Sequence, residues 1–327
     1  MRPSAFFLAL QPQPNNLFTM KNHWKSTAWM LLVFVSLFIS CSESDNLPKP
    51  NKDNQENQET GANVNANPKK QEPYYARLEF PHVKTDGNNL VVVHSTTEYG
   101  VNFSVEWDCD KKAQRWTCYE MDARTSTKNW NRKNWDTTSW GGDPFQEDKD
   151  IPEQYRTTLD DYRGSGYDRG HICPSADRLN SKDANEQTFY LSNMQPQVNG
   201  FNTGVWATME SQLRTVWNTS KYRDMLYVCK GGTIDKSSQI AGYAKNKLIV
   251  PKYFFAAILA AKDGQYKAIG LWFEHKKNND KHLSNYVVSI DELEKLTGID
   301  FFCNLPDKTE KKVESATKAE MLIDWGL

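Results

Sequence analysis

Asp168-Arg169-Gly170-His171 sets a carboxylate, a fork-shaped cation and an imidazole within four consecutive positions, and Asn193, Asn202 and Glu210 follow at intervals down the chain. These types suit the cleavage of a phosphodiester by water. That reaction needs a proton acceptor for the water, positive charge on the phosphate and a way for the 3′ oxygen to leave. His171 supplies neutral imidazole near pH 7. Arg169 offers a permanent bidentate charge, and Gly170 permits a tight backbone between them. Asp168 can orient a neighbour by accepting hydrogen bonds. Asn202 is a neutral oxygen ligand of the kind a hard cation accepts beside its waters. Glu210, eight residues later, can face that water shell, and Asn193 can fix His171 or the substrate.

Each residue has an ordinary reading when taken singly. Asp-Arg-Gly-His also describes a turn with a surface ion pair. Asn202 alone reads as a helix cap and Glu210 as a solvated helix residue. Their order and spacing give the set its meaning. His82, His94, His275 and His282 have no partners at ligand spacing and read as structural or exposed. Arg214, Lys221 and Arg223 read equally as a nucleic-acid groove or a solvated face. Trp206 and Met209 read as core.

The elements that must position these residues are legible in part. Leu90–His94, the strictly alternating Val101–Trp107 and Trp116–Met121 read as strands, with a polar turn at Asp110-Lys111-Lys112. Residues 122–166 read as a long irregular loop, and such a loop in a compact domain is more often functional than idle. Ser181–Tyr190 reads as a short helix, and Leu191–Met194 as an extended piece halted by Pro196. A helix runs from about Gly204, capped by Asn202 or Thr203, with Trp206, Met209, Leu213 and Val216 on one face. Tyr227–Cys229, Leu248–Val250, Tyr253–Ala261, Ala268–Phe273 and Val287-Val288 read as strands. Ser289–Gly298 reads as a helix stopped by its glycine. The mixture is an α+β fold with a central antiparallel sheet.

The chain has 327 residues, but its first quarter does not read as fold. Basic Lys21 and Lys25 precede an apolar stretch, Ala28–Ser40. At about a dozen residues it is short for a span and suits an export signal. Met20 is a candidate true start. Cys41 follows at once in a lipobox-like context, with Phe38 where Leu is usual, so 1–40 reads as a signal peptide and Cys41 as a lipidated terminus. Residues 41–73 hold little that is apolar and read as a flexible tether. The expected location is a membrane-anchored lipoprotein at the outer membrane or cell surface. Residues 74–327 form one domain, and 11 Trp in the chain allow a large core.

Charge and cysteines set limits. Removing the three basic residues of the first 40 takes the formal net charge from −1 to −4. A tight nucleic-acid binder is usually basic, so any nucleic-acid site must be a local groove. Besides Cys41 there are five cysteines, and Cys109 and Cys118 are placed to bridge across a hairpin. No C-x-x-C pair occurs, which argues against structural zinc.

Asp168–His171, Ser192–Gln197 (SNMQPQ) and Asn202–Glu210 (NTGVWATME) together resemble the DNA/RNA non-specific endonucleases of the ββα-metal superfamily, over most of residues 75–310. The resemblance implies a ββα-metal nuclease fold, its central antiparallel sheet flanked by helices. It also implies Mg²⁺, with Mn²⁺ as a substitute, and DNA and RNA as substrates cut to 5′ phosphates. By resemblance His171 is the general base, Asn202 the sole protein ligand to the metal and Glu210 a carboxylate in its water shell. Arg169 and Asn193 support the site. An upstream cation near the phosphate falls on Arg132, with Lys133 its rival in an ambiguous register. Two other readings stay open: a phosphoesterase restricted to one nucleic acid, and an inactive surface lipoprotein that binds nucleic acid or a protein.

Overall fold

The run Phe254 to Ala260 shows how the molecule is layered. Successive side chains on a strand point to opposite faces. Phe254, Ala256, Ile258 and Ala260 enter one core, while Phe255, Ala257 and Leu259 enter another. A strand apolar on both faces must be covered on both, and this one lies inside a seven-stranded sheet. The computed structural model describes residues 62–68, 73–131, 142–245, 247–277 and 280–327. All belong to the compact unit Gln58–Leu327.

The strands are β1 (Asn89–Thr96), β2 (Gly100–Asp108), β3 (Ala113–Met121), β4 (Asp168–His171), β5 (Met194–Gln197), β6 (Met225–Gly232), β7 (Ile240–Ala244), β8 (Leu248–Pro251), β9 (Tyr253–Lys262), β10 (Gln265–Glu274) and β11 (Val287–Val288). The large sheet has the order β1-β2-β3-β6-β9-β10-β11, and every neighbouring pair is antiparallel. Two small antiparallel pairs stand apart from it, β4-β5 and β7-β8.

The helices are α1 (Leu159–Tyr162), α2 (Lys182–Gln187), α3 (Asn199–Phe201), α4 (Ala207–Gln212), α5 (Ile290–Thr297), α6 (Asp307–Glu314) and α7 (Lys318–Trp325). π-helical turns, Asn202–Trp206 and Leu213–Trp217, extend α3 and α4 into one helical stretch over 199–217. Phe201, Val205, Trp206, Met209, Leu213 and Trp217 bury its inner side against one face of the sheet. Each such side chain contributes roughly 1.5–3 kcal/mol on burial. On the other face Ile290 and Leu293 of α5 and Val313 of α6 pack with Phe255 and Leu259. Ser289 caps α5 through the Glu292 amide, and Gly298 ends it at φ 77°, a conformation that favours glycine. This is an α+β architecture with a central antiparallel sheet flanked by helices.

Several local expectations are corrected. Residues 191–193 form a 3-10 turn, and the strand begins at Met194 and runs through Pro196. Proline is tolerated because both strands of a two-stranded pair are edges. Asn202 is helical, at φ −55° and ψ −52°, and the helical stretch begins three residues before it. It is therefore not the N-cap of that stretch. The five described cysteines are all free and buried, so Cys109 and Cys118 form no bridge. Cys118 lies opposite Ser104 on β2 and Cys229 on β6.

Residues 62–68, assigned by composition to the tether, are hydrogen-bonded to the domain. Asn67 Nδ2 donates to the Tyr75 and Pro81 carbonyls, and Asn63 Nδ2 to that of Leu305. Asparagine amides, not apolar area, hold this segment, which is why hydropathy does not reveal it. Ala28–Ser40 and Cys41 lie outside the described residues. Among the described residues no helix is long and apolar enough to cross a membrane.

Candidate active site

The candidate residues from Asp168 to Glu210 sit in a unit of strand, strand and helix. In the β4-β5 pair Asp168 faces Gln197, Arg169 faces Pro196, Gly170 faces Gln195 and His171 faces Met194. Gly170 has a steric reason. A Cβ there would lie 2.2 Å from Cδ of the buried Gln197 side chain, well inside contact distance. The helical stretch after β5 then returns across β4. Asn202 and Asn199 each donate through Nδ2 to Asp168 Oδ2 at 3.0 Å, and Trp206 Nε1 donates to the His171 carbonyl at 3.2 Å. These bonds tie both ends of β4 to the helix. The His171 ring packs against Phe145 and Phe189, with centroids at 5.6 and 5.2 Å. His171, Asn202 and Glu210 line one cavity, together with Phe189, Pro174 and Arg214.

Beneath this cavity lies a charge network of which the sequence gives no hint. Lys230, on β6 and fully buried, places Nζ 3.8 Å from Glu210 Oε1. Its ammonium also lies over the rings of Tyr119 and Trp206, at 5.4 and 5.3 Å. Burial pushes the Glu210 carboxyl up to about 7, and Lys230 opposes that rise. Burial likewise lowers Lys230, against the pull of Glu210 and Asp177. Asp177 in turn holds Arg214 at 2.5 Å. Arg214 therefore belongs to the cavity wall, whereas Arg223 is buried and bonded to Asn218. A lysine within a strand reads as surface until the sheet is assembled, so nothing in the sequence marks Lys230.

The other candidates are placed differently. Arg169 pairs with Asp143 at 2.9 Å, with its guanidinium carbon 3.8 Å from the Phe145 ring centre. It lines an adjacent cavity with Tyr162, Arg163 and Tyr167. Phe145 thus touches both Arg169 and His171. Asn193 is fully buried, and its side chain is spent on backbone. Oδ1 accepts from the Cys173 amide, and Nδ2 donates to the Cys173 and Thr188 carbonyls, all at 2.8 Å. It pins the chain just past His171 and does not face the cavity as a substrate ligand. Arg132 and Lys133 lie outside the described residues.

Three of the histidines outside the motif have partners: His282 Nδ1 lies 2.9 Å from Asp280 at the surface, and the other two are held inside the fold. His94 Nε2 is 3.0 Å from Asp148 and Nδ1 is 3.6 Å from Asp150, which anchors the loop that carries Asp143 and Phe145. His275 Nε2 accepts from the Val198 amide at 2.8 Å, and Nδ1 donates to the Pro251 carbonyl at 2.7 Å. That pattern requires the neutral imidazole, and burial lowers its pKa. His275 thereby fixes the start of the helical stretch.

The donors fit a hard cation. The nitrogen end of the Asn202 amide is committed to Asp168, which leaves its carbonyl oxygen for the cavity, where Glu210 supplies a carboxylate. One neutral oxygen and one nearby carboxylate suit an ion that keeps most of its waters.

A model of the DNA/RNA non-specific endonuclease family matches residues 85–308. The chain belongs to that family. It is 35% identical over 191 residues to Nuclease C1 of Cunninghamella echinulata var. echinulata, covering 56% of this chain and 75% of that one. To human mitochondrial Endonuclease G it is 33% identical over 171 residues, covering 49% of this chain and 57% of the relative. Among solved structures, the EndoG/EndoGI complex superposes with a TM-score of 0.56 at 26% identity, over 66% of this chain and 88% of that one. Members of the DNA/RNA non-specific endonuclease family are metal-dependent nucleases, so the protein is an endonuclease by class.

Proposed function

We propose that this endonuclease hydrolyses DNA and RNA with little sequence preference, using His171 as the general base and Asn202 as the protein ligand to Mg²⁺. The observation that carries this reading is the convergence of His171, Asn202 and Glu210 on one cavity wall through the β4-β5-helix motif. His171 takes a proton from the attacking water. Its ring is held in place by Phe145 and Phe189. Asn202 would hold the cation through Oδ1, and a bound cation would supply charge stabilisation for the leaving oxygen. Asp168 keeps the Asn202 amide in that orientation. Glu210 would face the water shell of a bound cation, and Lys230 beneath it favours its ionised form. Arg214 and Arg169 offer positive charge to the phosphates on either side, Arg169 by exchanging its contact with Asp143. Arg132 is the proposed upstream phosphate ligand. Asn193 acts through the backbone beyond His171.

The test is digestion of plasmid and RNA by the full chain, with Mg²⁺ and with EDTA, beside His171→Ala. Cleavage that requires both the metal and His171 is expected, with a loss of at least about 10²–10⁴-fold in the variant. A folded, metal-supplied wild-type protein that cuts neither substrate would favour the binding-lipoprotein reading.

Export and lipidation at Cys41 are proposed on the apolar stretch Ala28–Ser40 and the cysteine that follows it. The protein is expected in the membrane fraction, and Cys41→Ala is expected to release it. A variant that stays membrane-bound would exclude this anchor.

A further inference from the structure

On the sheet face opposite His171, two helices turn acidic residues toward each other. Asp291 and Glu294 are three apart on α5, and Glu310 and Glu314 are four apart on α6, so each pair shares a helix face. Asp300 follows the Gly298 turn that ends α5. One ligand oxygen each from Asp300, Glu310 and Glu314 lie within 4.8 Å of one another, and so do those of Asp291, Glu294 and Glu314. Glu314 belongs to both groups. It is 8% exposed, and its Oε1 is buried with no hydrogen-bond partner. Asn65 Nδ2 donates to Asp300 Oδ2 at 3.0 Å and to Glu310 Oε1 at 2.8 Å, which aligns the two carboxylates. Its Oδ1 is also buried and unpartnered.

We propose that Asp300, Glu310 and Glu314, with Asp291 and Glu294 beyond the shared Glu314 carboxylate, form a second cation site that takes a divalent ion of the calcium type. An isolated buried carboxylate oxygen is costly unless paired or bound to metal. The donors are oxygens, which select a hard cation over zinc or copper. Mg²⁺ gives up its waters reluctantly and uses one or two carboxylates, whereas Ca²⁺ accepts six to eight oxygens in flexible geometry. Three converging carboxylates, two of them on buried residues, match Ca²⁺ better than Mg²⁺. Burial, then the like charges of Glu294, Glu310, Asp300 and Asp291, push Glu314 up to about 9, and Glu294 rises to about 7. A cation relieves this repulsion, and through Asn65 it clamps residues 62–68 onto α6.

The probe is Ca²⁺ itself, titrated into the metal-stripped full chain carrying Asn202→Ala, so that the catalytic cavity lacks its proposed ligand. The readout is Tm, which does not depend on activity. Saturating Ca²⁺ is expected to raise Tm by at least about 5 °C, and Mg²⁺ at equal concentration by less. Glu314→Gln keeps the side-chain shape and removes the ionisable carboxyl, so it should fold and lose the Ca²⁺ increment. Asp300→Asn, at a less buried position, is a second variant expected to weaken the increment at least tenfold in Ca²⁺ concentration. No increment in the Asn202→Ala protein, or one that survives both variants, would overturn the site and leave carboxyls that share protons.

Discussion

Glu210 and Lys230 show how one buried charge depends on another. Burial raises the Glu210 carboxyl to about 7, and Lys230 keeps that rise in check. Replacing Lys230 by Met leaves the carboxylate without its counter-charge. Glu210 then ionises only at higher pH, so the acidic limb of the kcat/KM profile for plasmid cleavage should move upward, while Lys230→Arg restores it in part. A limb that stays where it was in Lys230→Met would separate Lys230 from Glu210. Asn193 is a contrast at the same scale. Its spacing from Asn202 suggests contact with the reacting groups, yet three backbone bonds absorb its amide. A residue type and an interval identify a candidate, but they do not say which way its side chain faces.

Among the elements, β4 is held by contact rather than by propensity, since Asp-Arg-Gly-His is a poor strand sequence. Pairing with β5 and the bonds from Asn202 and Trp206 keep it extended. Gly170 makes the pairing sterically feasible. Gly170→Ala forces a Cβ against Gln197, which should cost about 1–3 kcal/mol of stability by urea unfolding. Displacing His171 by even 1 Å should also reduce kcat about 10²-fold. Wild-type kcat in that variant would show that β4 is not held as tightly as the contacts imply. The π turn at Asn202–Trp206 is the matching device on the helix. It contains Gly204, whose ψ of −118° departs from helical geometry, and it begins at the residue that meets Asp168. Such turns recur at functional sites, and no periodicity in the sequence distinguishes them from an ordinary helix.

The whole molecule carries a formal charge of −1, and among the described residues the cations at the two cavities are Arg163, Arg169 and Arg214. Binding of duplex DNA by His171→Ala should therefore weaken only moderately with salt. A slope of about −4 in log K against log salt is expected if these three and the proposed Arg132 each neutralise a phosphate. A slope of −6 or steeper would require a broad basic surface elsewhere. The layering gives the molecule a division of labour. One face of the sheet carries the helix of the catalytic motif, and the other carries α5 and α6 with their acidic cluster.

The sequence by itself determined the reaction class, because Asp168 to His171, Asn202 and Glu210 are ordered along one short stretch and chemistry needs their types. It determined most of the large sheet as well, because alternation in β2 and unbroken apolar runs in β9 and β10 have one physical meaning each. Only the tertiary structure decided that Lys230 lies under Glu210, that Asp143 occupies Arg169, that Asn65 reaches Asp300, and that Cys109 and Cys118 do not bridge. Those contacts join residues between 20 and more than 200 positions apart. Their partners are chosen by how the sheet twists and which faces are covered, and such information is absent from any local pattern.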